Sequence, residues 1–281
     1  MVRRHPGTVS LPVPVTLEGR AGLAALLGDP ARALVALDFD GTLSPIVADP
    51  AAARAHPDAV PALRRVAASI GTLAVITGRP AASAVDLGGF AAVPDLVVLG
   101  HYGLERWAGG TLSSPPSAAG VQAARTELPG LLATTDAPDG TRIEDKGHAV
   151  AVHTRQTADP QAALDLLRDP LAGLAARHGL AVEPGRMVIE LRPRGMDKGQ
   201  ALRTLIDLRE RQPSAVMFCG DDLGDVAAFD AVRTLRGEGV PGLTVFSGSA
   251  EVTELAQAAD LVVDGPDGVV ALLNSVADAL S

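Results

Sequence analysis

Residues 34 to 40 read Leu-Val-Ala-Leu-Asp-Phe-Asp, and Gly41, Thr42 and Leu43 come next. An unbroken apolar run of this length suits a strand buried on both faces of a parallel sheet. Asp38 and Asp40 then emerge at the strand's carboxyl end, where open α/β sheets place their ligands. Neighbouring carboxylates that lose hydration repel each other, so a cation is the natural remedy. Hard divalent ions with oxygen ligands, magnesium above all, meet that need. The plainer alternative is an acidic turn after an ordinary strand.

The rest of the chain narrows the partners. Its 281 residues allow one large domain or two modest ones. Aromatic residues make up 2% and the formal net charge is −9, so base-stacking surface is scarce and a phosphate backbone would be repelled. Cys219 is the single cysteine, which excludes an intrachain disulfide framework and a thiolate zinc site. No apolar stretch reaches membrane-spanning length, and prolines and polar residues interrupt the segment after the basic opening Met1-Val2-Arg3-Arg4. The expectation is a soluble cytoplasmic protein acting on a small molecule, without nucleic acid or membrane as partner. Its oligomeric state stays open.

Texture divides the chain. Residues 1 to 16 hold three prolines and read as a loose arm, and 17 to 28 as a short helix. Short apolar strands at 34 to 37, 72 to 76 and 96 to 99 alternate with helix-length segments near 57 to 69 and after Pro80, the pattern of a doubly wound parallel sheet. From Trp107 the pattern changes. Residues 109 to 120 have the Gly, Ser, Pro and Ala content of a connection, and strands with period-2 alternation succeed it at 141 to 147, 148 to 155 and 186 to 192. Each has one apolar face for helices at 121 to 132 and 160 to 178 and one polar face, as in a half-exposed antiparallel sheet. After Gly195 the parallel texture returns with a helix at 198 to 210, strands at 215 to 219, 243 to 246 and 261 to 263, and a helix near 267 to 280. The expected fold is therefore α/β: a doubly wound parallel-sheet core over 1–106 and 194–281, interrupted by an inserted α+β cap over 107–193.

Four signals fall at core strand ends or at a helix start: Asp38-x-Asp40, Thr77, Lys198, and Asp221-Asp222-x-x-Asp225. Together they supply a carboxylate nucleophile, a neighbouring acid, an anion-binding hydroxyl, a cation and further carboxylates for a metal. Phosphoryl transfer needs that inventory, because positioning and charge neutralisation supply most of its catalysis. Taken one at a time, Thr77-Gly78 can be a strand-ending turn, Lys198 a solvated lysine and Asp225 a helix N-cap. Their joint order favours the chemical reading.

Asp38-Phe39-Asp40-Gly41-Thr42-Leu43, Val75-Ile76-Thr77-Gly78-Arg79, Lys198 and Gly220-Asp221-Asp222-x-x-Asp225 resemble, in order, the four motifs of the haloacid dehalogenase-like phosphatases. More narrowly, Gly100-His101-Tyr102-Gly103-Leu104-Glu105, Glu144-Asp145-Lys146, Val152-His153-Thr154-Arg155 and Met187-Val188-Ile189-Glu190-Leu191-Arg192-Pro193 are similar to segments of trehalose-6-phosphate phosphatases. The chain departs from that family at Leu223-Gly224-Asp225-Val226, where a Thr and a Glu are common. The resemblance implies magnesium-dependent hydrolysis of trehalose 6-phosphate, the last step of trehalose biosynthesis, through an aspartyl phosphate. Asp38 would be nucleophile and metal ligand. Asp40 would be general acid and then base, and would bind the metal through its carbonyl. Thr77 and Lys198 would hold phosphate oxygens. Asp221 would complete the direct metal ligands, with Asp222 and Asp225 ligating through water or orienting Lys198. Gly78, Arg79 and His101 would line the substrate.

The polar face of the inserted sheet carries Arg142, Glu144, Lys146, His153, Arg155, Glu190 and Arg192. Periodicity is equally compatible with a solvated face of surface ion pairs and with a lid whose charged groups bind sugar hydroxyls. The resemblance favours the lid, with Glu144, Lys146, Arg155 and Glu190 as sugar contacts. His148 and His153 fall on opposite faces of one strand, which disfavours a shared zinc ion. Two rivals stand beside the trehalose reading: the same chemistry on sucrose or glucosylglycerol phosphate, and a non-catalytic sugar-phosphate-binding module.

Overall fold

The apolar run Leu34–Leu37 forms strand β1, with all its residues buried. A computed structural model describes residues 11–47, 49–248 and 253–281. Most of the arm expected at residues 1 to 16 lies outside them. Contacts divide the chain into two units, Met1–Ser113 with Asp197–Ser281, and Ser114–Met196.

In the larger unit, α1 (Leu17–Gly28) precedes β1, and α2 (Ala59–Ala67), β2 (Thr72–Ile76), α3 (Ala81–Gly88) and β3 (Val97–Gly100) come after it. Next are β4 (Glu105–Ala108) and β5 (Thr111–Ser113). The smaller unit contains α4 (Ala119–Thr134), β6 (Arg142–Asp145), β7 (Val150–His153), α5 (Pro160–Arg177), β8 (Leu180–Gly185) and β9 (Val188–Pro193). The chain then returns with α6 (Lys198–Asp207), β10 (Val216–Gly220), α7 (Val226–Gly237) and β11 (Gly242–Ser247). It finishes with α8 (Thr253–Ala258), β12 (Leu261–Val263) and α9 (Gly265–Ala279).

The larger sheet has the order β12-β11-β10-β1-β2-β3-β4-β5. It is parallel from β12 to β3 and antiparallel from β3 to β5. Both faces of β1 are covered, which explains the lack of alternation. Val35 and Leu37 pack with residues of α1, α2, α3 and α9. Leu34 and Ala36 pack with residues of α6 and α7. From β1 the chain proceeds to β2 and β3 on one side, and the returning segment fills the other with β10, β11 and β12. Neighbouring β1 and β10 therefore flank the topological switch point, where the crevice at the strands' carboxyl ends opens.

The β4–β5 hairpin falls where the sequence suggested a connection. Gly109 and Gly110 both have positive φ, at 57° and 78°. That is the backbone a two-residue hairpin turn requires, so these glycines close a hairpin. Trp107, on β4, packs against the core of the larger unit.

In the smaller unit the antiparallel order is β6-β7-β9-β8. Val150, Val152, Ile189 and Leu191 pack with Val121 and Leu128 of α4 and Leu167 and Leu171 of α5. The cross-strand row Glu144, Ala151, Glu190, Glu183 belongs to the other face. β8 is an additional edge strand whose sequence pattern is broken by Pro184 and Gly185, residues that an edge strand tolerates. Among the described residues no helix is long and apolar enough to cross a membrane.

Candidate active site

The site grows from the carboxyl ends of β1, β2 and β10 and the first turn of α6. Leu37 is in register with Cys219, and the N–H of Asp38 donates to the Cys219 carbonyl at 2.8 Å. Cys219 is buried inside β10 as a core residue. Beyond β1 the chain turns sharply: Gly41 N–H donates to the Ser44 carbonyl at 2.7 Å and the Ser247 hydroxyl to the Gly41 carbonyl at 2.8 Å. Gly41 has φ +74°, and a Cβ there would lie 1.9 Å from Oδ2 of Asp221. The motif-bearing turn and the Asp221 carboxylate thus approach each other only because residue 41 has no side chain.

Asp197 caps α6 by accepting from Gln200 N–H at 2.8 Å, which fixes the first turn and its Lys198. The Lys198 ammonium lies 2.8 Å from Asp38 Oδ1 and 2.7 Å from Asp225 Oδ1. Asp225 Oδ2 accepts from the N–H groups of Asp221 at 2.9 Å and Asp222 at 3.1 Å. Asp222 is exposed and caps the same turn, accepting from Gly224 N–H at 2.9 Å. With Asp225 accepting from the Asp222 N–H in return, a reciprocal capping box holds this turn.

One oxygen from each of Asp38, Asp221 and Asp225 lies within 4.8 Å of the other two, the one such group among the described residues. Burial pushes the Asp38 carboxyl well up, and the charges of Asp225 and Asp221 add to this against the pull of Lys198. Burial, with the charges of Asp222 and Asp225, pushes Asp221 up to about 8. Burial alone would lower Lys198, but Asp225 and Asp38 more than offset it and hold the ammonium. Three buried carboxylates around one ammonium are short of positive charge, and a hard divalent cation fits that deficit. Both oxygens of Asp225 serve Lys198 and the backbone, which leaves Asp38 and Asp221 as the carboxylates suited to direct coordination.

Thr77, 1% exposed, directly follows β2. Its N–H donates to the Leu99 carbonyl at 2.9 Å, and its hydroxyl oxygen accepts from Arg79 N–H at 3.1 Å. His101 and Tyr102 have left-handed backbones, φ 47° and 56°. Their N–H groups donate to the carbonyls of Arg79 at 2.9 Å and Thr77 at 3.0 Å. The Tyr102 hydroxyl lies 2.6 Å from where a Gly78 Cβ would project, so the loop after β3 braces the Thr77–Arg79 turn. Arg79 itself forms two hydrogen bonds to Asp40. The structural roles of Tyr102 and Ser247 carried no sequence signal of their own.

The remaining sequence candidates belong to the smaller unit. Lys146 pairs with Glu190 at 2.6 Å and His153 with Glu144 at 2.8 Å, while Arg155 donates to the Arg186 carbonyl at 3.5 Å. His148 Nε2 meets the Ser114 hydroxyl at 2.8 Å, in contacts separate from those of His153.

Known proteins share both sequence and fold. The family profile described as Trehalose-phosphatase matches residues 36–266. The trehalose-phosphate phosphatase of Mycobacterium marinum is 34% identical over 263 residues, covering 89% of this chain and 63% of that protein. That of Mycobacterium avium is 36% identical over 255 residues, covering 88% and 62%. The chain therefore spans less than two thirds of the length of these relatives. The C. albicans trehalose-6-phosphate phosphatase C-terminal domain superposes with TM-score 0.69 at 22% identity, over 96% of this chain and 100% of that one. A haloacid dehalogenase-like hydrolase from Bacteroides thetaiotaomicron gives 0.58 at 16% identity, over 85% and 97%. On a haloacid dehalogenase-like α/β fold, and with a family match across most of its length, the chain belongs to the trehalose-phosphatase family.

Proposed function

We propose that this chain is a magnesium-dependent phosphomonoesterase that converts trehalose 6-phosphate to trehalose and phosphate through a phosphorylated Asp38. The observation that carries the reading is the buried cluster in which Lys198 bridges Asp38 and Asp225 beside Asp221. A carboxylate oxygen of Asp38 attacks phosphorus as the bond from phosphorus to the sugar oxygen breaks, and Asp40 gives its proton to that oxygen. Asp40, now ionised, takes a proton from water. The water oxygen attacks phosphorus, the bond to Asp38 breaks, and phosphate leaves with Asp38 and protonated Asp40 restored. Thr77 and Lys198 hold phosphoryl oxygens, and Asp225 aims Lys198. Magnesium held by Asp38, Asp221 and the Asp40 carbonyl would supply charge neutralisation at the phosphoryl group.

Sugar recognition falls to polar groups, because a disaccharide phosphate offers hydroxyls and little apolar surface. Glu144, Lys146, Arg155 and Glu190 of the smaller unit are polar groups of that kind. The curated relatives' name, trehalose-phosphate phosphatase, supports a trehalose phosphate as substrate. Phosphate release from trehalose, sucrose and glucosylglycerol phosphates, each with and without magnesium, tests the reading. Magnesium-dependent release fastest from trehalose 6-phosphate is expected. Preference for another sugar phosphate would change the substrate. Tight binding of trehalose 6-phosphate without release would make the protein a binding module.

A further inference from the structure

Arg79 lies just past the anion-binding Thr77-Gly78 turn, where a guanidinium would be expected to meet phosphate. It is instead committed within the protein. Its Nε donates to Asp40 Oδ2 and its Nη2 to Asp40 Oδ1, both at 2.7 Å. Two parallel bonds between a planar fork and a carboxylate fix orientation as well as distance. The third nitrogen, Nη1, donates to the Pro50 carbonyl at 2.8 Å. The guanidinium also stands over the Phe39 ring, 5.5 Å from its centroid, and Phe39 is fully buried against Phe90. Arg79 is the anchored partner, with a side chain 16% exposed against 42% for Asp40. Two connections thus meet at one guanidinium: the one after β1, through Asp40 and Pro50, and the one after β2, which carries Arg79.

We propose that Arg79 is a positioning residue for Asp40, a two-point clamp that sets the direction of the carboxylate, rather than a ligand for the substrate's phosphate. The proposal rests on the reading of Asp40 as acid and base. A carboxylate oxygen has a second lone pair, so Asp40 can exchange a proton with a leaving oxygen or a water while its other lone pairs stay on Arg79. Without the clamp, a side chain this exposed would sample rotamers in which neither transfer is aligned.

The test compares two substrates in wild type, Arg79→Ala and Arg79→Lys, with magnesium present. The p-nitrophenolate of p-nitrophenyl phosphate leaves without a proton, so phosphorylation of Asp38 from it needs no acid, whereas the later attack of water needs Asp40 for either substrate. Arg79→Ala should lower kcat on trehalose 6-phosphate about 100-fold, the scale of acid–base catalysis, with KM changed less than about 3-fold. The first-turnover burst of p-nitrophenolate should stay near the wild-type rate while steady-state turnover falls. Arg79→Lys should restore less than about a tenth of the loss, since an ammonium cannot make both bonds. Four results would overturn the proposal: KM about tenfold higher with kcat retained, which makes Arg79 a substrate ligand; unchanged kcat; a burst that falls in step with turnover; or full rescue by Lys. Asp38→Asn separates the two levels. Activity retained in that variant removes the phospho-Asp38 reading and the clamp with it, whereas an inactive Asp38→Asn beside an unimpaired Arg79→Ala removes the clamp alone.

Discussion

Asp225 holds Lys198 with one oxygen, at 2.7 Å, and the backbone of the Asp221-Asp222 turn with the other. A single buried carboxylate therefore orients the ammonium that faces Asp38 and shapes the loop that carries Asp221. Asp225→Asn puts an NH2 group in place of one of those acceptors, against either an ammonium or two backbone N–H groups. Removing one partner of a buried ion pair costs about 3–5 kcal/mol. The variant should unfold at lower temperature in a thermal scan and lose at least about 100-fold in phosphate release.

Gly41→Ala tests the close approach of the first motif to Asp221. The added methyl meets the Asp221 carboxylate at 1.9 Å, in a backbone with φ +74°. Either the turn or the Asp221 carboxylate must move, and either shift disturbs the acidic cluster. Isothermal titration with magnesium should show affinity about 10–100-fold weaker, the scale seen when groups supporting a metal ligand are disturbed. Unfolding free energy should fall by only about 1–2 kcal/mol.

Glu190 tests sugar recognition. It pairs with Lys146 at 2.6 Å on the polar face of the smaller unit. If it accepts from a sugar hydroxyl, Glu190→Ala should raise KM for trehalose 6-phosphate about 10–100-fold, the worth of a hydrogen bond to a charged group. KM for p-nitrophenyl phosphate, which has no sugar, should hold.

Away from the site, Asp260 ties the start of α1 to β11. Its carboxylate accepts from the Thr16 hydroxyl, from Arg236, and from Thr244 N–H at 2.7 Å and hydroxyl at 2.8 Å. Burial alone would raise its pKa, but these bonds outweigh burial and hold it below the usual carboxylate range. A depressed folded pKa means stability that is complete above the unfolded value, about 3.9, and lost as pH falls through the folded one. Asp260→Asn should cost about 3 kcal/mol at neutral pH. In urea unfolding, the gap between variant and wild type should narrow below about pH 4.

The sequence exposes this fold where chemistry and burial coincide. Leu34 to Leu37 could be read as a two-sided strand because nothing in it faces water, and Asp38 and Asp40 mark its end. The alternation around Val150 and Val152 separates the smaller sheet for the same reason, since only one of its faces is covered. Other features depend on residues distant in sequence. Tyr102 bracing Gly78, Ser247 holding Gly41 and Arg79 clamping Asp40 arise from neighbouring strands that the chain reaches much later or leaves much earlier. α7 has no boundary of its own in the sequence, because the Asp221–Asp225 turn runs straight into it at Val226 and no separate loop marks its start.

Phosphate release by Asp38→Asn from trehalose 6-phosphate, with magnesium present, addresses the nucleophile itself. The phospho-Asp38 mechanism predicts a drop of at least about ten-thousand-fold, the scale at which a removed nucleophile is felt, in a protein that still melts as a folded chain. Wild-type turnover in that variant would contradict it.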